Sequence, residues 1–188
     1  MILIVALVVL ALIALAIVMM VVTYNRLVSL RNRVQNGWSQ IDVQLKRRHD
    51  LIPNLVNAVK GYLEHERTVL QNVTDARAQA IAAGNNVAQR SEAEGELSKS
   101  LRSLFAVAES YPALRASENV RSLQEELAST ENRIAFARQF YNDAVLSYNT
   151  SRSQMPGIFI ANQFGFNPAD PYAIEEASDR EVPQVDLS

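Results

Sequence analysis

The chain has no cysteine, only two histidines, and few aromatic residues, 7% of its 188 positions. Each scarcity removes a class of chemistry. Without cysteine there is no disulfide framework, no thiol nucleophile and no thiolate metal site, and the chain suits a reducing compartment. His49 and His65 are too few to hold a metal without converging carboxylates, and no HExxH pattern supplies them. Glu64 and Glu66 flank His65, but consecutive helical residues point about 100° apart and cannot all reach one ion. Both histidines read as solvated or hairpin-stabilising groups. Gly84 and Gly95 stand alone, so no glycine-rich phosphate loop is present. The serines occupy caps and polar faces with no base and orienting acid beside them. A net charge of -2 and the lack of a recognition motif argue against nucleic acid. The expectation is a protein that is not an enzyme and carries no cofactor and no metal.

Charge is also missing locally. From Ile2 to Val22 no ionisable side chain occurs, and Leu, Ile, Val, Ala and Met fill the run. At 1.5 Å per residue it is about 30 Å long, the thickness of a hydrocarbon core. A cleaved signal is the rival reading, with Ala14-Leu15-Ala16 as its cleavage motif. Against it stand the missing basic n-region and the length of the apolar run. Tyr24, Arg26, Arg31 and Arg33 follow closely and form the expected membrane interface. Their charge predicts a single-pass cell-membrane protein with its N-terminus outside and the rest cytoplasmic.

What remains is helical. Leu27, Leu30, Val34, Trp38, Ile41 and Leu45 recur at spacings of three and four, so the membrane helix is expected to continue through them. Lys46-Arg47-Arg48-His49 reads as its C-terminal end, with cations on the negative pole of the helix dipole. Asp50 then caps a second helix with Pro53 in its first turn, and Ile52, Leu55, Val59, Tyr62, Val69, Val73, Ala76 and Ala80 form its seam. Gly84-Asn85-Asn86 stops that helix. Ser91 and Glu94 read as the capping box of a third, which carries Leu97, Leu101, Leu104, Phe105 and Ala108 before Tyr111-Pro112. Ser117 caps a fourth with a heptad-like seam: Val120, Leu123, Leu127, Thr130, Ile134, Ala137, Tyr141, Ala144 and Tyr148. Short connections favour an all-α, antiparallel up-down-up-down four-helix bundle. The expected division is a transmembrane anchor at 1–23, the bundle at 24–155, and a C-terminal apolar and aromatic segment with an acidic tail at 156–188.

Two further features carry site expectations. Glu66 falls in phase with Tyr62 and Val69. A hairpin folded about Asp50–Leu51 would bring it near Arg33, so a structural polar pair between Arg33 and Glu66, or a contact with the Trp38 indole, is expected. The apolar stretch Ile158, Phe159, Ile160, Phe164 and Phe166 returns toward the bilayer in such a bundle. It contacts either the bundle end or lipid.

From Trp38 to Arg77 the sequence WSQIDVQLKRRHDLIPNLVNAVKGYLEHERTVLQNVTDAR resembles the signature of the LemA family. The resemblance continues in AVAESYPALRASENV, in LQEELASTENRIAFARQFYNDAVLSYN and more loosely in PGIFIANQFGF. It implies a single membrane anchor, a four-helix cytoplasmic domain and a tiny external N-terminus. The resulting expectation is a membrane-anchored module that binds or scaffolds other proteins at the cytoplasmic face. The partners are the lipid bilayer and a membrane or cytoplasmic protein. The alternative is a homo-oligomer that organises the membrane through its aromatic segment, and a metal-dependent hydrolase ranks last.

Overall fold

A computed structural model describes residues 1–63 and 65–172. Glu64 and the acidic tail beyond Tyr172 lie outside the described residues. Those residues form an all-α protein with α1 at Ile2–Lys60, α2 at Arg67–Ala82, α3 at Val87–Ala108, a single turn α4 at Pro112–Arg115, α5 at Glu118–Ser153 and α6 at Gly157–Phe164.

The largest departure from the sequence reading is α1. It does not end at Lys46–His49; it runs unbroken for 59 residues with Pro53 inside it. Proline lacks the N–H that would bond the carbonyl four residues back, which here belongs to His49. Arg77 on α2 supplies the missing donor, its Nε reaching the His49 carbonyl at 2.8 Å. The reversal expected at Asp50–Leu51 therefore occurs at Gly61–Glu66 instead. The expected capping box of α3 is also absent. Asn86 is the cap, its side chain accepting from the Gln89 N–H at 3.1 Å, while Ser91 and Glu94 are buried inside the helix. Other boundaries agree with expectation. Gly84, at φ +65°, follows α2; α3 stops at Ala108; and Ser117 Oγ accepts from the Val120 N–H at 3.5 Å.

The chain divides into two compact units. One comprises Asp42–Phe136 with Tyr172. Its core draws Ile52, Leu55 and Val59 from α1, Leu70, Val73 and Ala80 from α2, Leu97, Leu101 and Leu104 from α3, Leu114 from α4, and Val120 and Leu127 from α5. Contacts at Asp42–Arg90 and Arg48–Glu94 set α3 parallel to α1, and His49–Arg77 and Arg47–Glu126 join α2 and α5 to it.

The other unit comprises Met1–Ile41 and Ala137–Pro171. Here α1 and α5 are antiparallel, and they approach closely at Gly37, where an added Cβ would lie 3.1 Å from the Tyr141 Cα. The remaining part of the unit is α6 and the extended residues after it, which fold back along α5.

Candidate functional site

In the Asp42–Phe136 unit, the seam of α1 passes from Leu45 to Ile52 through position 48, and that slot holds an arginine that is 2% exposed. A buried guanidinium must be neutralised and its donors filled. Glu94 does the first, its carboxylate meeting Arg48 Nη2. Nη1 reaches Glu131 Oε2 at 2.7 Å and Ser98 Oγ at 2.8 Å, and Nη2 also reaches the Glu94 carbonyl at 3.2 Å. On the other carboxylate oxygen, His49 Nε2 lies 2.9 Å away, a hydrogen bond when Nε2 carries the proton. Burial pushes the Glu94 carboxyl up, but the His49 hydrogen bond and the Arg48 charge outweigh it, and the group sits below its usual range. Burial likewise lowers Arg48, yet Glu131 and Glu94 more than restore it, so the guanidinium stays charged.

The cluster ties α1, α3 and α5 together through Arg48, Glu94 and Glu131. Sequence reasoning missed it. The signal was present, because Arg48 stands in phase with Leu45 and Ile52, and Glu94 in phase with Leu97 and Leu101. His49 is correspondingly buried, not solvated. Among the described residues no group of three or more His, Cys, Asp and Glu side chains could hold a metal ion.

In the Met1–Ile41 and Ala137–Pro171 unit the candidate site is the end nearest the apolar run. Residues 2–22 are exposed along their whole length, and α1 is long and apolar enough there to cross a membrane. Two residues past Val22, the Tyr24 ring meets Phe164 and Phe166 edge-on, at 5.0 and 5.5 Å between centroids. Gly165, at φ +69°, ends α6 in the left-handed conformation, and the Phe166 N–H returns to the Ala161 carbonyl at 3.0 Å. That cap turns Phe166 inward, where it is buried beneath the Arg31 guanidinium at 5.2 Å. Gly157 is required at the other end of α6, where a Cβ would stand 2.0 Å from the Ser151 carbonyl oxygen.

The chain after α6 is clamped by side chains of α5. Arg152 Nε donates to the Phe166 carbonyl at 2.6 Å, Tyr148 Oη to that of Asn167 at 2.7 Å, and Tyr141 Oη to that of Asp170 at 2.8 Å. Asn149 both donates to the Ala169 carbonyl at 2.8 Å and accepts from its N–H at 3.0 Å. Burial pushes both phenols up, with Asp170 adding to the effect at Tyr141, so both remain donors at neutral pH.

The expected site residues divide accordingly. Tyr24 and Arg31 come together with Phe164 and Phe166, while Arg26 is exposed beyond the apolar run. Ile160 and Phe166 are buried, whereas Ile158, Phe159 and Phe164 stay exposed. Arg33 and Glu66, expected as a pair, fall in different units. The Arg33 guanidinium lies 5.3 Å from the Phe140 ring centre, and Glu66 accepts a long hydrogen bond from Tyr111 at 3.4 Å. The hairpin register behind that expectation was lost when α1 continued through Asp50. Trp38 packs on Tyr141 at 5.7 Å.

Comparison with known proteins gives a match to the family model described as LemA family over residues 37–187. The chain is 24% identical to Magnetosome protein MamQ 2 of Paramagnetospirillum magneticum, over 85% of this chain and 68% of that protein. It is likewise 24% identical to Magnetosome protein MamQ of Magnetospirillum gryphiswaldense, over 86% of this chain and 70% of that one. Protein LemA of Metamycoplasma hominis is 25% identical over 67% of this chain and 58% of its own length.

Proposed function

The chain belongs to the LemA family, and from that premise we propose that it is a membrane-anchored, non-enzymatic helical module that binds or organises other proteins at the cytoplasmic face. It is a membrane-associated, LemA-type protein. The observation that carries the reading is the unbroken course of α1. A tether would be joined to its domain through a breaker. Here the helix that holds the uncharged run also supplies Ile41, Leu45, Ile52 and Leu55, all of them buried. Arg26, Arg31 and Arg33 closely follow that run, which favours a cytoplasmic body. On that body, exposed apolar side chains such as Val43 and Phe136, 62% and 72% exposed, are what a protein partner would meet.

Photo-crosslinking amino acids at Val43 and Phe136 in cells test the proposal, alongside a topology reporter fused after Ser188. Discrete, reproducible adducts and a reporter active only on the cytoplasmic side are expected. A reporter active only when exported would overturn the orientation. Adducts no different from those of an exposed polar position such as Gln139 would overturn the binding role.

A further inference from the structure

The end of the Met1–Ile41 and Ala137–Pro171 unit beside Tyr24 combines three features that its own packing does not use up. The first is exposed apolar surface. Met155 and Phe159 are 78% and 63% exposed, and Ile158 and Phe164 are exposed with them. Ile160, Ala161 and Gly157 on the opposite side of α6 are buried. The uncovered side of α6 carries Ile158 and Phe159 beside the amides Asn162 and Gln163, and Phe164 stays exposed at its C-terminal end.

The second feature is position. Phe164 and Phe166 touch Tyr24, directly after the Ile2–Val22 run. The uncovered face therefore adjoins a surface already suited to lipid.

The third feature is charge. This unit carries five arginines, at 26, 31, 33, 138 and 152, against two aspartates, Asp143 and Asp170. Both aspartates belong to the far end, since Asp170 meets Tyr141, which packs on Trp38, and Asp143 follows Tyr141 by two residues on α5. Arg26 and Arg31 are exposed at the Tyr24 end.

We propose that α6 and the turn before it dock onto the surface of an anionic phospholipid bilayer, the same bilayer that takes up Ile2–Val22. Met155, Ile158, Phe159 and Phe164 enter the boundary between headgroups and acyl chains, and Arg26 and Arg31 face the headgroup phosphates. The inference rests on the reading of α1 as the anchor. Apolar burial at the interface and attraction of cations to anionic lipid act together there. The docked helix would hold the returning end of α5 to the membrane at a second point beside the span.

Because the chain has no cysteine, single-cysteine variants of the full chain can be labelled without background. Met155→Cys and Phe159→Cys alter exposed side chains, and unchanged helical circular dichroism and thermal unfolding would verify their fold. Each carries an environment-sensitive fluorophore in vesicles of phosphatidylcholine alone or mixed three-to-one with phosphatidylglycerol. Leu12→Cys serves as the reference for the span and Gln139→Cys as the reference for water.

In the anionic vesicles, probes at 155 and 159 should be quenched by headgroup-level lipid quenchers and shielded from iodide. Arg26→Gln and Arg31→Gln should each lower the docked-to-undocked ratio about fivefold there, with no change in phosphatidylcholine. If iodide reaches Phe159→Cys as readily as Gln139→Cys while Leu12→Cys stays deep, docking is wrong and the anchor stands. If iodide also reaches Leu12→Cys, the anchor reading fails and takes the proposal with it. Shielding that grows with the protein-to-lipid ratio without lipid quenching would identify a second copy as the occupant and overturn the proposal. Docking indifferent to lipid charge or to both arginine substitutions would overturn the anionic preference.

Discussion

The two compact units solve the problem of a polar group in a helical core in opposite ways. Between Asp42 and Phe136 the buried Arg48 and Glu94 neutralise each other, with the buried His49 and the exposed Glu131 beside them. In the other unit the side chains are mostly neutral, and what they satisfy is backbone: Tyr141, Tyr148, Asn149 and Arg152 bind the main chain of residues 166–170. The physical consequences differ. A buried ion pair contributes little net stability over a well-packed apolar substitute, but losing one partner strands the other. Phenol and amide bonds to backbone are individually small and fail one at a time. The first arrangement therefore enforces register between helices, and the second fastens a segment that has no helix of its own.

The comparison is tested most severely at Arg48. Arg48→Met should destabilise the full chain in detergent by about 3–5 kcal/mol by chemical denaturation, because Glu94 is left buried without its cation. Adding Glu94→Leu to that variant should recover much of the loss; a double variant no better than the single one would argue against a register role. The same cluster sets an acid sensitivity. Glu94 sits below its unfolded value of about 4.3, so its stabilisation is complete above that pH and is lost as the pH falls through its lower folded value. Glu94→Gln should flatten the acid limb of a stability–pH curve.

Next in size is the repair of Pro53. Arg77→Met removes a charged donor from the His49 carbonyl and should cost about 1.5–3 kcal/mol. In a Pro53→Ala background the backbone N–H is restored, so the same substitution should cost measurably less. Equal costs in both backgrounds would mean that Arg77 matters for another reason.

In the other unit, Gly157→Ala forces a Cβ against the Ser151 carbonyl. A cost of about 1–3 kcal/mol is expected, the usual range for overpacking. It should appear as faster limited proteolysis after Ser153, with the denaturation midpoint of the Arg48 unit little changed. Smallest is Tyr148→Phe, at about 1 kcal/mol, one phenol bond among several. A larger effect would mean that the clamp acts cooperatively.

How far the sequence alone reached follows from where each constraint originates. The α5 seam from Val120 to Tyr148 was legible because every determinant lies within the helix, and all its members but the partly buried Leu123 are buried in the structure. The stops at Ala108 and Gly84 were legible for the same reason. The continuity of α1 was not. Pro53 and the basic run at 46–48 are ordinary end signals, and the residue that cancels the first, Arg77, stands 24 positions further along. Phase was the stronger clue, since Ile41, Leu45, Arg48, Ile52, Leu55 and Val59 keep a three-four spacing with no slip across the supposed break. At the candidate site, the sequence did not tell which face each aromatic residue occupies. Phe166 points inward only because Gly165 reverses the chain, and Phe159 outward because Ile160 and Ala161 are buried.

The carboxamide of Asn149 has one more implication. Its donor and acceptor engage Ala169 as a neighbouring peptide unit would, so α5 presents a single rung of ladder to an extended segment. With the carbonyls of Phe166, Asn167 and Asp170 also occupied, that segment has spent most of the carbonyls with which a β-edge would recruit a strand from another chain. An extended stretch is thereby kept from becoming a template for aggregation.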